Sequence, residues 1–140
     1  MSLYLLDTDH LSLHQAGFEP LRAHFLTIPP EQIALTIISA EELARGRLAQ
    51  VSRAMKPQER VMAYYWLNRT LEFLCGFTVL KFDAQAEAYF QTLREQRLRV
   101  GTQDLKIAAI ALSQGAVVVT RNERDFGRVP GLKTEDWARG

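Results

Sequence analysis

The sequence has a single cysteine, Cys75, so no disulfide can form within the chain, and a reducing cytoplasm is the expected setting. Long hydrophobic runs are also missing. The longest aliphatic stretches, such as Ile107 to Leu112, are about half a dozen residues, far short of the ~20 that a bilayer span needs, so no membrane association is expected. The opening segment lacks basic residues and meets an acid at Asp7, which predicts neither a secretory nor a transit leader. No repeat, Gly/Ser linker or biased tract occurs, and Pro29-Pro30 reads as a turn, so disordered and collagen-like classes are excluded. What remains is a chain of 140 residues, 47% hydrophobic and 24% charged, with a mean hydropathy of -0.12. That composition suits one domain spanning residues 1–140, able to withdraw roughly two thirds of its unfolded surface from water.

Excess charge is scarce overall, at a net +1, but its distribution is uneven. Residues 1–44 hold six acids and one base, Arg22, whereas residues 45–140 hold sixteen bases and ten acids. Six of those bases lie between Arg45 and Arg69, against the single acid Glu59. Such a stretch forms either a basic face for a polyanion or an ordinary solvated helix surface.

Four short apolar runs read as buried strands: Leu3 to Leu6, Ile33 to Ile38, Phe77 to Phe82 and Ala116 to Thr120. Gly76 and Gly115 precede the last two and suit helix C-termini. Helical patterns fill 8–15, 19–27, 40–54, 58–75, 84–99 and 103–114. Strands separated by helical crossovers predict an α/β domain of three layers. Its central parallel sheet has four to five strands, with helices on both faces and the functional crevice at the strands' carboxyl ends. The helix from Lys106 to Ser113 is apolar on nearly every side and should be buried. Around Val61 to Leu74 the apolar arc is wider than one sheet face needs. Met62, Trp66 and Phe73 form one flank and Tyr64, Leu67, Leu71 and Leu74 the other. This helix either lies deep in the core or meets another chain.

Four acids occupy equivalent places in that architecture: Asp7 at the end of the first strand, Glu42 and Asp104 in the first turns of helices, and Asp125 shortly after the strand ending at Thr120. Singly, each has a structural explanation, because acids favour helix N-termini. Asp7 suits a cap, Ser39 suits the N-cap of a capping box with Glu42 at its third position, and Thr102 suits a cap ahead of Asp104. Together they argue differently. Two like charges about 4 Å apart cost roughly 1 kcal/mol in water and about 4 at an effective dielectric of 20, so converging carboxylates need a counter-charge. Oxygen donors without thiolate favour Mg²⁺ or Mn²⁺ over Zn²⁺, and such an ion suits phosphodiester hydrolysis. His10 and His14 have metal-compatible spacing but lack the glutamate of an HExxH helix, and Asp125-Phe126-Gly127 matches the kinase metal triad without any other kinase motif.

The segments Leu5-Leu6-Asp7-Thr8-Asp9, Ser39-Ala40-Glu41-Glu42-Leu43-Ala44-Arg45-Gly46, Asp104-Leu105-Lys106-Ile107-Ala108-Ala109 and Thr120-Arg121-Asn122-Glu123-Arg124-Asp125-Phe126, in that order, resemble the PIN-domain nuclease family. Within it they look most like VapC-type toxins of toxin-antitoxin pairs. The resemblance implies an endoribonuclease that holds Mg²⁺ or Mn²⁺ with Asp7, Glu42 and Asp104. It also implies a homodimer inhibited by a cognate VapB-type antitoxin. Asn122 stands where many relatives have the fourth acid, so that role either passes to Asp125 or is reduced to a water-mediated contact. Thr8, Ser39, Thr120 and Asn122 could hydrogen-bond the carboxylates, and Arg45, Arg47 and Arg121 could contact RNA phosphates. Two other readings remain: a receiver-type phospho-acceptor module built on Asp7, Asp9, Asp83, Thr120 and Lys133, or a catalytically silent nuclease-like fold that only binds RNA or protein.

Overall fold

The computed structural model describes residues 2–139. Five strands, β1 (Tyr4–Leu6), β2 (Ile33–Thr36), β3 (Thr78–Leu80), β4 (Val117–Val119) and β5 (Lys133–Glu135), form one sheet. Its order is β3-β2-β1-β4-β5 and every neighbouring pair is parallel. Seven helices connect them: α1 (Thr8–Gln15), α2 (Glu19–Phe25), α3 (Ile37–Arg53), α4 (Pro57–Cys75), α5 (Ala84–Glu95), α6 (Thr102–Gln114) and the short α7 (Glu123–Phe126). A single 3₁₀ turn at Pro30–Gln32 leads from the Pro-Pro turn into β2.

Side chains alternate across a strand, so each central strand feeds two cores. Leu5, Ala34 and Val118 face a cluster completed by Phe90 of α5 and Ile107 and Ile110 of α6. Leu6, Leu35 and Val119 face the opposite cluster, with Leu11 of α1, Leu21 of α2, Leu74 of α4 and Trp137. The three layers are those the alternation of strands and helices predicts. Leu105 and the whole run Ile107 to Ala111 are buried, so α6 is the core helix its all-round apolarity implies. Gly115 ends it with φ of +62°, in the left-handed region where a side chain is strained.

Several boundaries differ from the sequence reading, each for a local reason. The helix expected from residue 40 starts at Ile37, because the Thr36 hydroxyl accepts the Ser39 N–H at 3.2 Å and caps it. Ile37 and Ile38 therefore belong to α3 rather than to the second strand. Ser39 sits inside the first turn instead of capping it, and Glu42 lies in the second turn. Thr102 does not cap α6 either; Gly101 precedes the helix without a side-chain cap. α5 stops at Glu95, short of residue 99, and Arg97 then turns back with φ of +52°. Among the unforeseen elements, β5 pairs only with β4 and offers Lys, Thr and Glu, which carry no strand pattern.

Helix capping by a hydroxyl contributes about 1 kcal/mol. Thr36→Ala should lower the unfolding free energy by about that amount in urea titrations. Ser39→Ala should leave the cap intact, the reverse of what a Ser39 cap requires.

Candidate functional site

From β1 the chain steps outward to β2 and β3, then crosses back to β4 and β5 on the other side. β1 and β4 thus flank the point where the winding reverses, where crevices open at the carboxyl edge of such sheets. Asp7 follows β1 there, its N–H donating to Val119 O at 3.0 Å. It caps α1, with Oδ1 accepting the His10 N–H at 2.8 Å, and only 7% of the residue is exposed. α3 leaves the same edge from the end of β2 and carries Glu42, whose Oε1 accepts the Thr8 hydroxyl at 2.5 Å. Ser39 Oγ lies 3.2 Å from the same Thr8 oxygen. α6 runs back toward the start of β4, which brings its first turn, with Asp104, to this edge as well. After β4, buried Thr120 accepts the Asn122 N–H at 2.8 Å, and Asn122 Nδ2 donates to Asp125 Oδ2 at 3.0 Å.

The electrostatics tie these acids together. Burial, followed by repulsion from Asp7, Glu42 and Asp125, pushes the Asp104 carboxyl up from 3.8 to about 6. Only one of its three neighbours has a guanidinium or ammonium beside it: Arg128 Nη1 lies 3.0 Å from Asp125 Oδ1. Among the described residues, no lysine or arginine pairs with Asp7, Glu42 or Asp104. Asp7, Asp9 and His10 form the one group of three such residues, among those described, whose donor atoms all lie within 4.8 Å of one another. An acidic cluster that could hold a metal ion therefore stands at the end of β1, with Glu42, Asp104 and Asp125 farther back and coupled to it by charge. Asp9 is already engaged, because both its oxygens accept from Arg121, at 2.6 and 3.0 Å. That bond holds the Arg121 guanidinium above its usual pKa. Uncompensated carboxylates with no thiolate nearby fit a hard divalent cation.

The remaining candidates are distributed differently. Arg45 is exposed and pairs with Glu41 one turn back, and Gln103 Nε2 donates to the same Glu41 at 3.2 Å, linking α6 to α3. Arg47 points into the α3–α4 contact: its Nε donates to Thr70 Oγ1 at 3.0 Å, and its guanidinium lies 5.1 Å from the Trp66 ring centre. His14 leaves His10 altogether. It stacks on Phe25 at 4.0 Å, where burial and nearby Arg22 hold its pKa below the usual value. Val61, Met62, Tyr64, Tyr65, Trp66 and Leu71 are all exposed, so α4 is not a deep core helix and its apolar flank is free in this chain. The receiver alternative fails on topology. Asp83 follows the edge strand β3 and caps α5, whereas a receiver places its third strand beside the first. Sequence reasoning missed two contacts at the site: Arg128 on Asp125, and the His10 ring on Asp7. The three-residue spacing of each pair was the available signal.

Because the Asp104 carboxyl titrates near 6 when folded and near 3.8 otherwise, the folded protein holds the extra proton between those values. Its contribution to stability is therefore lost as pH rises from about 4 to about 6, by an amount that solvent screening keeps below the full electrostatic cost because Asp104 is only half-buried. Relative to the parent, metal-free Asp104→Asn should gain melting temperature on going from pH 4 to pH 7. A constant difference across that range would contradict the crowding of charge.

Comparison with known proteins agrees with this geometry. The model of the PIN domain matches residues 4–132. The chain is 42% identical over 69 residues to the tRNA(fMet)-specific endonuclease VapC of Salmonella typhimurium, a match covering 46% of this chain and 52% of that protein. The chain thus spans about half the length of that relative. It is 38% identical over 109 residues to ribonuclease VapC2 of Rickettsia felis, covering 75% of this chain and 74% of the relative. The crystal structure of DNA-bound VapBC from Salmonella typhimurium superposes with a TM-score of 0.74 at 28% identity, covering 98% of this chain and 99% of that one. The chain belongs to the PIN-domain family, among the VapC proteins.

Proposed function

We propose that this chain is a divalent-metal-dependent endoribonuclease and the toxin of a toxin-antitoxin pair. The observation that carries the reading is the gathering of Asp7, Glu42, Asp104 and Asp125 at one sheet edge, where Arg128 on Asp125 is the counter-charge beside these four among the described residues. Asp7, Glu42 and Asp104 would hold Mg²⁺ or Mn²⁺, with Asp125 as the fourth acid behind Asn122. When bound, the ion supplies Lewis acidity, offsetting phosphate charge and acidifying water.

The chain's own residues do the rest. The backbone of α1 fixes one oxygen of Asp7, and Thr8 holds Glu42 facing it. Thr120 shapes the turn that presents Asn122 and Asp125, and Arg128 limits the repulsion that Asp125 adds. Arg45 and Arg121 are exposed and can meet a phosphate backbone by exchanging a carboxylate for it, while Arg47 acts from behind by fixing α3 against α4. RNA as substrate is supported by the ribonuclease names of the relatives. A VapB-type antitoxin is supported by the likeness to VapBC complexes, and a cytoplasmic setting accords with a lone, unpaired cysteine. The exposed apolar flank of α4 supports a second protein surface, in a homodimer or against the antitoxin.

Purified protein should cleave RNA with Mg²⁺ or Mn²⁺ and stop when the ion is chelated. Asp7→Asn and Asp104→Asn should each slow cleavage on the order of 100-fold or more, and Asp125→Asn roughly tenfold. No cleavage with either ion, together with no thermal gain at millimolar Mn²⁺, would instead favour a silent relative.

A further inference from the structure

His10 is fully buried, yet nothing in the reaction proposed above uses it. It lies on the first turn of α1, and its ring is held between the start and the end of the chain. On one side the Trp137 backbone N–H donates to His10 Nε2 at 3.3 Å, with Asp136 Oδ1 at 3.5 Å. On the other, His10 Nδ1 lies 3.3 Å from Asp7 Oδ1. A neutral imidazole that accepts at Nε2 carries its proton on Nδ1. Nδ1 lies on the Asp7 side of the ring, buried and without a hydrogen bond. A buried donor left unpaired is costly, and Asp7 Oδ1, 3.3 Å away, is the acceptor within reach of a small ring rotation.

We propose that His10 is a positioning residue for Asp7, held in its donor tautomer by the Asp136-Trp137 segment. The backbone N–H of His10 hydrogen-bonds Oδ1 and its ring stands 3.3 Å from the same oxygen, while Oδ2 has no donor among the described residues. One oxygen is anchored and the other is left available. Asp136 is held by other groups, its Oδ1 accepting the Ala138 N–H at 2.8 Å and its Oδ2 pairing with Arg139 Nε at 3.4 Å, and its 3.5 Å distance from Nε2 is longer than the 3.3 Å of the Trp137 N–H. The proposal rests on the reading of Asp7 as a cation ligand, and the test separates the two.

Asparagine places its amide near the position of Nδ1, and glutamine places its own near Nε2. Mn²⁺ affinity measured by calorimetry on the full chain should therefore fall roughly tenfold or more in His10→Gln and His10→Leu, and stay within about threefold of the parent in His10→Asn. RNA cleavage should follow the same order. Metal-free melting temperature, the readout of a purely structural role, should not separate Asn from Gln. Parent-like affinity in His10→Gln, or Asn no better than Gln, overturns the role of His10 alone. A parent that binds no Mn²⁺, or binds it equally well after Asp7→Asn, overturns both readings. Should the variants fail to fold, two-bond ¹H–¹⁵N spectra of the parent decide the matter: a proton on Nδ1 with a bare Nε2 supports the proposal, and a proton on Nε2 overturns it.

Discussion

Repulsion between carboxylates at the carboxyl edge of the sheet is the constraint around which this chain is arranged. Every element that reaches that edge delivers either an acid or a group that restrains one. β1 delivers Asp7, α3 delivers Glu42 under the Thr8 hydroxyl, α6 delivers Asp104, and the turn after β4 delivers Asp125 with Arg128 at its side. Burial first, and then the charges of Asp7, Glu42 and Asp125, push the Asp104 carboxyl up. A protein selected only for stability would place lysine or arginine among such groups, as it does for Asp9 with Arg121 on the exposed side. Leaving the inner acids uncompensated stores unfavourable energy that a divalent ion can release.

That arrangement is affordable because the layers beneath it are tightly built. Alternation across β1, β2 and β4 sends successive residues into two separate apolar clusters, and the alanines of α6 are buried in one of them. The rigid floor matters because an acid held on a flexible loop would relax away from its neighbours. Asp7 cannot relax: its backbone N–H pairs with β4 and its side chain caps α1.

Much of this was legible in the sequence, for identifiable reasons. β1, β2 and β4 announce themselves because central parallel strands are apolar on both faces. The four acids were legible as a set because each falls near a strand end or helix start. Ile37 and Ile38 misled, since β-branched residues suggest a strand while the Thr36 hydroxyl decides for a helix. β5 was invisible, because Lys133 to Glu135 contributes backbone pairing rather than apolar surface. Helical periodicity revealed that α4 has two apolar flanks but could not say whether the second is covered, which depends on where the neighbouring helices end. The three-residue spacing of Asp7 and His10 hinted at one of the ring's contacts, but the other lies at Trp137, and no local spacing reveals it.

The sheet order has a consequence for biosynthesis. β1 leaves the ribosome first, but one of its two neighbours is β4, and the segment gripping His10 comes later still. Through most of translation the first strand waits with one edge open, and the acids lack their common wall. The acidic edge is therefore complete only after the C-terminal third of the chain has folded back onto the first strand.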